Sequence, residues 1–185
     1  MSNIENIVKD GENYQFTEDD LRDMTEHKYD IIAYEDLEKY DTIDEVLGKN
    51  NGAVILFQNE SARSGHWVAL WGKNNTIIYF DSYGLNPDDE IQFTKYTMRE
   101  YNMSGDKLPH LSFLLNKSNY KISPNKVKLQ RFKDGSNTCG RWVGWRLRHK
   151  ELSHEQFGKL FTTNQHYNPD WFITILTGHF GGFSN

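Results

Sequence analysis

The sequence predicts an α+β domain in which a mixed central sheet is covered by helices, and three observations lead to this class. A block of strand-like segments occupies the middle of the chain, and helix-like segments precede and follow it. These strand-like segments are apolar at successive positions, which is typical of a sheet that is covered on both faces. The chain has 185 residues, of which 37% are hydrophobic and 14% aromatic, so we expect one folded domain with an aromatic core.

We expect this domain to span residues 1–185 without a linker. Residues 1–50 would form an N-terminal cap, residues 52–150 the core, and residues 151–185 a set of C-terminal helices. The composition shows neither a Pro/Gly/Ser-rich boundary nor an internal repeat.

The first fifty residues predict short elements. Residues 17–21 have a threonine followed by acids, the signature of a capped helix start. Residues 30–34 predict either a short strand or a buried turn. Residues 42–48 predict a short helix that ends at a glycine.

Three segments rich in β-branched and aromatic residues predict the middle of the sheet: residues 53–57, 66–71 and 76–80. The polar residues 72–75 between the last two segments predict a hairpin. Farther along, a proline and acids predict a helix over residues 86–101, and residues 111–115 and 126–130 are candidate strands.

Two further helices have clear start signals. Ser153 opens one as part of a capping box with Gln156, and Asn168 followed by Pro169 opens the last one, which extends to about Gly178.

The chain's only cysteine lies at another predicted helix start. The cap-type residues Asn137 and Thr138 precede it, and Cys139, Val143 and Leu147 then fall on one buried helix face. A thiol in the first turn of a helix feels the positive end of the helix dipole, which favours the nucleophilic thiolate. A lone cysteine can equally be a small buried apolar residue, so the position alone does not make it a catalyst.

Partners suited to a reactive thiol occur upstream. His66 begins one strand and Asp81 ends the next, so a hairpin between them would place both side chains near the same edge of the sheet. The amide of Gln130, at the end of a candidate strand, could stabilise an oxyanion beside the backbone N–H of Cys139.

This series of residues resembles the cysteine peptidase clan of the adenovirus maturation protease and the SUMO-deconjugating proteases. In that clan the order along the chain is histidine, acid, glutamine, cysteine. Tyr83 and Gly84, directly after Asp81 and Ser82, are similar to the viral, adenain-like branch. The resemblance covers about residues 52–150.

The resemblance implies a role for each residue of the series. Cys139 would be the nucleophile, His66 the general base and acid, and Asp81 the group that orients His66. Gln130 and the Cys139 N–H would form the oxyanion hole, and Asn137 is the alternative donor because the spacing from Gln130 to Cys139 is longer than is usual in the family.

Two residues are candidates for substrate binding. Trp67 would flank the histidine, and Gly140 would let a substrate backbone approach the sulfur. We expect no cofactor and no metal: His149 and His154 lack further zinc ligands at a workable spacing. A papain-like pairing of Cys139 with His166 or His179 would leave too little chain for the intervening strands.

The charge distribution is asymmetric, with a net charge of -10 over residues 1–50 and +7 over residues 111–185. The basic third could bind an anion such as DNA, or it could be an ordinary solvated face. The sequence shows no membrane span and no signal pattern, and one cysteine allows no internal disulfide. We therefore expect a monomer in a virion or in the cytoplasm or nucleus of a host cell, and not a secreted protein.

Three functions are consistent with these observations. The first is an endopeptidase that cuts viral capsid or scaffold precursor proteins. The second is a protease that removes ubiquitin-like modifiers, and the third is a non-catalytic structural protein that retains the fold.

Overall fold

A computed structural model describes residues 3–58, 65–93, 109–132, 136–163 and 166–180, and it confirms the α+β class. Its α-helices are α1 (Asn3–Asn13), α2 (Glu18–Met24), α3 (Ile43–Leu47), α4 (His110–Lys117), α5 (Cys139–Arg148), α6 (His154–Thr162) and α7 (Pro169–Leu176). Its strands are β1 (Asp30–Ala33), β2 (Gly52–Gln58), β3 (Gly65–Lys73), β4 (Thr76–Asp81) and β5 (Lys121–Pro124). Two 3-10 helices span Tyr34–Lys39 and Asp89–Phe93. None of the helices in the described ranges is long and apolar enough to cross a bilayer.

The elements belong to two compact units. Unit 1 comprises Met1–His27, Ser82–Gly84 and Val127–Asn185, and unit 2 comprises Lys28–Asp81 and Leu85–Lys126. The segment predicted as an N-terminal cap contributes to both units, and the organisation as one domain stays a prediction.

Unit 2 contains the whole sheet, in the order β1-β2-β3-β4-β5. β3 is antiparallel to both of its neighbours, whereas β1 runs parallel to β2 and β5 runs parallel to β4. The three central strands and the hairpin are confirmed, and residues 30–33 form a strand and not a turn. Residues 52–57 of β2 are all buried, which agrees with the predicted burial of both sheet faces.

One face of the sheet packs against α3, α4 and the 3-10 helix Tyr34–Lys39. The side chains that β2, β3 and β4 contribute to this core alternate along each strand, as a pleated sheet requires. They are Ala53, Ile55, Phe57, Val68, Leu70, Ile77 and Tyr79.

The prediction of a strand at residues 111–115 is wrong, because these residues lie in α4. Leu111, Leu114 and Leu115 are buried and follow the i, i+3, i+4 spacing of a helix face, while Phe113 is exposed. A short apolar run is ambiguous between strand and helix, and here the packing of this face on the sheet decides the outcome.

The strand predicted at residues 126–130 is also wrong. The strand of this region is β5, which ends at Pro124, and the backbone N–H groups of Leu129 and Gln130 both donate to the carbonyl of Ser82 at 2.9 Å. Two donors that converge on one oxygen do not form a strand ladder, so the segment is a loop. A helix is predicted over residues 86–101. Residues 86–88 are not helical, Asp89–Phe93 form a 3-10 helix, and residues 94–101 lie outside the described residues.

Three of the predicted helix starts are confirmed by their caps. Thr17 and Ser153 each form a capping box, and the side chain of Asn168 accepts a hydrogen bond from the backbone N–H of Trp171. Gly48 ends α3 with φ of 57°, a backbone conformation that favours glycine.

A buried carboxylate in unit 1 ties the start of α5 to the start of α7. Asp170, in the first turn of α7, is 0% exposed and accepts hydrogen bonds from the Thr138 hydroxyl at 2.6 Å and the Trp142 indole N–H at 3.0 Å. Its other oxygen accepts from the backbone N–H and the Nε of Arg131, at 3.0 and 3.2 Å. Four donors therefore depend on this side chain.

We expect Asp170→Asn to reduce the free energy of unfolding by about 3 kcal/mol, because the amide leaves Arg131 and at least one buried donor without a charged acceptor. Urea unfolding followed by tryptophan fluorescence measures the change. The matched control is Asp10→Asn, the same replacement at an exposed position of α1 in the same unit. Equal stability of the two variants would contradict this role for Asp170.

Candidate active site

The register of β3 and β4 brings His66 and Asp81 together. Asp81 is directly opposite Val68, and His66 is two residues before Val68, so the two side chains are diagonal neighbours on one sheet face. Nε2 of His66 lies 3.1 Å from Oδ1 of Asp81. The histidine side chain is 11% exposed and the carboxylate is fully buried. The predicted pairing of these residues at one sheet edge is therefore present.

Asp81 is held by Asn125, a residue that the sequence did not indicate. The backbone N–H of Asp81 donates to Oδ1 of Asn125 and the Nδ2 of Asn125 donates to the carbonyl of Asp81, both at 2.8 Å. The backbone N–H of Asn125 also donates to the carbonyl of Tyr79. β5 ends at Pro124, so the asparagine side chain continues the pairing with β4 where the strand stops.

Gly65, which precedes His66, lies where the chain of β3 approaches β2 closely. A Cβ at this position would overlap the carbonyl oxygen of Phe57 and approach Cα of Gln58. Only glycine fits here without movement of the backbone, so Gly65 helps to define the path on which His66 lies.

A second buried carboxyl group, Glu90, lies beside the pair. Its Oε1 is 3.6 Å from Nε2 of His66, and the residue is 2% exposed. Burial raises the pKa of Glu90 to about 8; the His66 imidazole lowers this pKa, and Asp81 raises it by charge and by hydrogen bonding. One ligand-type atom from each of the three residues lies within 4.8 Å of the others. This spacing is compatible with a shared proton and also with a divalent cation.

Cys139 is the first residue of α5 and is 5% exposed, as predicted for a thiol at the start of a buried helix. The preceding polar residues do not cap this helix with their side chains, however. Thr138 occupies the N-cap position, but its hydroxyl donates to Asp170. Asn137 donates through its amide to the carbonyl of Asn13 at 2.8 Å, so the alternative oxyanion donor is engaged elsewhere.

Gln130 lies in a loop and not at a strand end, and it is buried. Its Oε1 accepts from the Ser82 hydroxyl at 2.7 Å. Its Nε2 donates to the Tyr83 hydroxyl at 3.2 Å and to the carbonyl of Ser136 at 3.0 Å. Gln130 is thereby connected to the segment that leads into Cys139, and its role as an oxyanion donor stays a prediction.

The two predicted substrate-binding residues are buried. Trp67 follows His66 in β3, so its side chain points to the opposite sheet face, and it is 3% exposed. Gly140 lies in the first turn of α5. Contact of either residue with a substrate stays a prediction.

The site residues thus fall into two groups. Unit 2 holds the paired His66 and Asp81, and unit 1 holds Cys139 and Gln130, whose amide contacts Ser136 three residues before the cysteine.

The basic third of the chain is less exposed than its charge suggests. Arg141 and Arg146 are buried, and their guanidinium groups lie over the rings of Phe16 and Phe157, at 4.4 and 4.8 Å from the ring centroids. Burial lowers the pKa of both arginines to about 10. These two residues belong to the packing of unit 1, and contact with DNA through the other basic residues stays a prediction.

Three residues that shape the site were not singled out in the sequence. Glu90 is one of three consecutive acids that look like the first turn of a helix, Asn125 follows a proline, and Asp170 resembles an ordinary acid at a helix start. Only Asn125 had a local signal, since an amide directly after the proline that ends a strand can replace ladder hydrogen bonds.

Comparison with known proteins identifies a viral relative. Over 162 residues the chain is 36% identical to a protein of the Sputnik virophage named uncharacterized protein V9, and the match covers 85% of this chain and 91% of that protein. No protein-family model matches the chain. The identity and the coverage place the chain in the same family as protein V9 of the Sputnik virophage.

Proposed function

We propose that this protein is a cysteine endopeptidase that processes viral capsid or scaffold precursor proteins during virion maturation. The observation that carries the proposal is the 3.1 Å contact between His66 and the buried Asp81, combined with a thiol in the first turn of α5. The order of His66, Asp81, Gln130 and Cys139 in the chain, which resembles the adenain-like clan, supports the same chemistry.

In the proposed mechanism the two ring nitrogens of His66 have different tasks. A carboxylate at Asp81 accepts a hydrogen bond from Nε2–H, which leaves Nδ1 as the basic nitrogen of the neutral ring. In the proposed reaction Nδ1 takes the proton of the Cys139 thiol, and the imidazolium that forms is stabilised by Asp81. This step requires the imidazole and the thiol to meet.

The thiolate of Cys139 then forms a bond to the carbonyl carbon of the scissile peptide, and the carbonyl electron pair moves to the oxygen. The N–H of Cys139 and the amide of Gln130 would stabilise this oxyanion. When the C–N bond breaks, the leaving amine takes the proton from Nδ1 of His66. A water molecule, deprotonated by the same nitrogen, then hydrolyses the thioester and restores the thiol.

The virophage relative supports a viral substrate. A virion particle is built from precursor proteins, and we propose that these proteins are cut after small residues in extended segments, inside the particle or in the infected host cell. Modifier removal and a purely structural role are the alternatives, and the experiments below separate them.

Peptidase activity is tested with fluorogenic peptides that end in glycine before the scissile bond, with capsid precursor proteins and with folded ubiquitin-like conjugates. We expect cleavage of the peptides and of the precursor proteins. Selective cleavage of the folded conjugates would favour a deconjugating protease. A protein that cleaves none of them and does not react with a thiol-directed activity probe would be structural.

A bifunctional alkylating reagent tests whether the side chains of His66 and Cys139 come together in the folded protein. 1,3-Dibromoacetone can alkylate a thiolate and then an adjacent imidazole, with loss of both bromides. We expect a bridge between Cys139 and His66, identified by peptide mass spectrometry and absent in Cys139→Ala. A bridge to His149 or His154, which share unit 1 with Cys139, would contradict the proposed pair.

We expect Cys139→Ala and His66→Ala each to abolish peptidase activity without loss of the fold. Members of a catalytic unit act together, so the double variant should be hardly slower than either single variant. Measurement of kcat/KM for the three variants, with far-UV circular dichroism as a folding check, decides this. Losses that multiply in the double variant would argue against a shared mechanism.

Asp81→Asn should be severe but less complete, with kcat reduced by about two to four orders of magnitude, because the amide no longer fixes the Nε2–H tautomer of His66. The comparison variant is Asp41→Asn, the same replacement at an exposed position of unit 2. Unchanged kcat in Asp81→Asn would remove Asp81 from the mechanism.

A further inference from the structure

Glu90 is held firmly in its buried position. Glu90 lies in the 3-10 helix Asp89–Phe93. Asp88, the residue before this helix, has a left-handed backbone with φ of 70°. The carboxylate of Asp88 accepts hydrogen bonds from the Tyr34 hydroxyl at 2.5 Å and from the backbone N–H of Ser112 at 2.6 Å. Because these contacts fix the start of the helix, the burial of Glu90 is a feature of the fold.

The cluster of His66, Asp81 and Glu90 has an excess of acid. Full ionisation would leave two buried carboxylates beside one imidazolium, an arrangement that low polarity and like-charge repulsion disfavour. One additional proton on a carboxyl group removes the excess. Asp81 lies at 3.1 Å from Nε2 of His66 and Glu90 at 3.6 Å, so the shorter contact identifies Asp81 as the ionised partner of the histidine.

The surroundings of Glu90 agree with this assignment. The pKa of Glu90 is raised to about 8, first by burial and then by Asp81 and Asp89, with His66 acting in the opposite direction. On β4, the buried phenol of Tyr79 has a raised pKa and stays neutral, and Asp81 and Glu90 contribute to that shift. Burial and the neighbouring carboxylates therefore favour the protonated form of Glu90.

We propose that Glu90 is a positioning residue that keeps a proton and donates it in a hydrogen bond to Asp81, which holds that carboxylate in place to orient His66. The role in orientation concerns the His66–Asp81 pair itself, and only its effect on turnover rests on the proposed peptidase function. Glu90 does not contact the reacting atoms, and it acts through Asp81.

The proposal predicts that two properties change with pH: the stability of the fold and the environment of the His66 ring. The folded protein binds a proton at Glu90 between the ordinary glutamate pKa and about 8, so this group makes the fold less stable as pH rises through that window. Once Glu90 ionises, its negative charge beside Nε2 stabilises the imidazolium form, so the His66 ring should respond to the ionisation of Glu90.

The first test compares Glu90→Gln with Glu38→Gln, the same replacement at an exposed position in unit 2. Glutamine keeps the shape and a hydrogen-bond donor but cannot ionise. We expect the urea midpoint of the wild type to fall relative to Glu90→Gln as pH rises from about 5 to about 8, whereas Glu38→Gln follows the wild type. A merely structural role would shift the midpoint equally at every pH.

The second test follows His66 by NMR in a Cys139→Ala background, which needs no peptidase activity. We expect the His66 ring signals of the parent protein to show a second titration step near pH 8, where Glu90 ionises, and we expect Glu90→Gln to lack that step. In the active enzyme, the pH profile of kcat/KM should lose the step at the same pH. Glu90→Asp, which keeps an ionisable group, should retain part of the coupling and serves if the glutamine variant does not fold.

Identical His66 titrations in wild type, Glu90→Gln and Glu90→Asp would overturn the inference. So would a coupling that a chelator abolishes, because a bound cation would then occupy the place assigned to the proton. If the His66 titration depends on Glu90 but the protein has no peptidase activity, the inference about Glu90 stands and the proposed function is wrong. If the protein is an active peptidase but the His66 titration does not depend on Glu90, the proposed function stands and the inference is wrong.

Discussion

The register of the β3–β4 ladder is the constraint on which the candidate site depends. Successive strand residues face opposite sides, so a slip of one residue would move Asp81 to the face away from His66. The turn that fixes this register lies at the far end of the hairpin. Asn74 and Asn75 both have positive φ, 48° and 56°, as a two-residue type I′ turn requires, and asparagine accepts this conformation readily. This turn thus helps to set the distance between His66 and Asp81.

Burial then determines what the paired residues can do. The end of β4 is closed to water, so the Asp81 carboxylate depends on protein donors, and Asn125 provides a clamp for its backbone while His66 contacts its side chain. The same closed environment raises the pKa of Glu90 to about 8. The contact that positions the imidazole and the raised pKa of Glu90 therefore both follow from the burial of this end of the sheet.

The parts of this structure that were predictable from sequence are those with local causes. Strand alternation and turn residues placed His66 and Asp81 at one edge, and the residues before Cys139 marked the start of α5. Tertiary packing decided the rest: the apolar run at 111–115 is a helix because one of its faces fits the sheet. Glu90 was missed because its role depends on a loop anchored by residues far away in sequence, and no pattern within a short window encodes that anchor.

The state of Gln130 shows how an engaged donor could still serve catalysis. Its longer amide contact, 3.2 Å to the Tyr83 hydroxyl, joins two neutral groups, whereas its contact to the carbonyl of Ser136 is 3.0 Å. In the proposed reaction a developing oxyanion would compete for the first of these hydrogens, and a charge-assisted hydrogen bond is about twice as strong as a neutral one. Tyr83 would stay in place through its stacking on Phe132, with ring centroids 4.1 Å apart. An exchange that is favourable only when negative charge appears stabilises the transition state more than the bound substrate, which is what a rate enhancement requires.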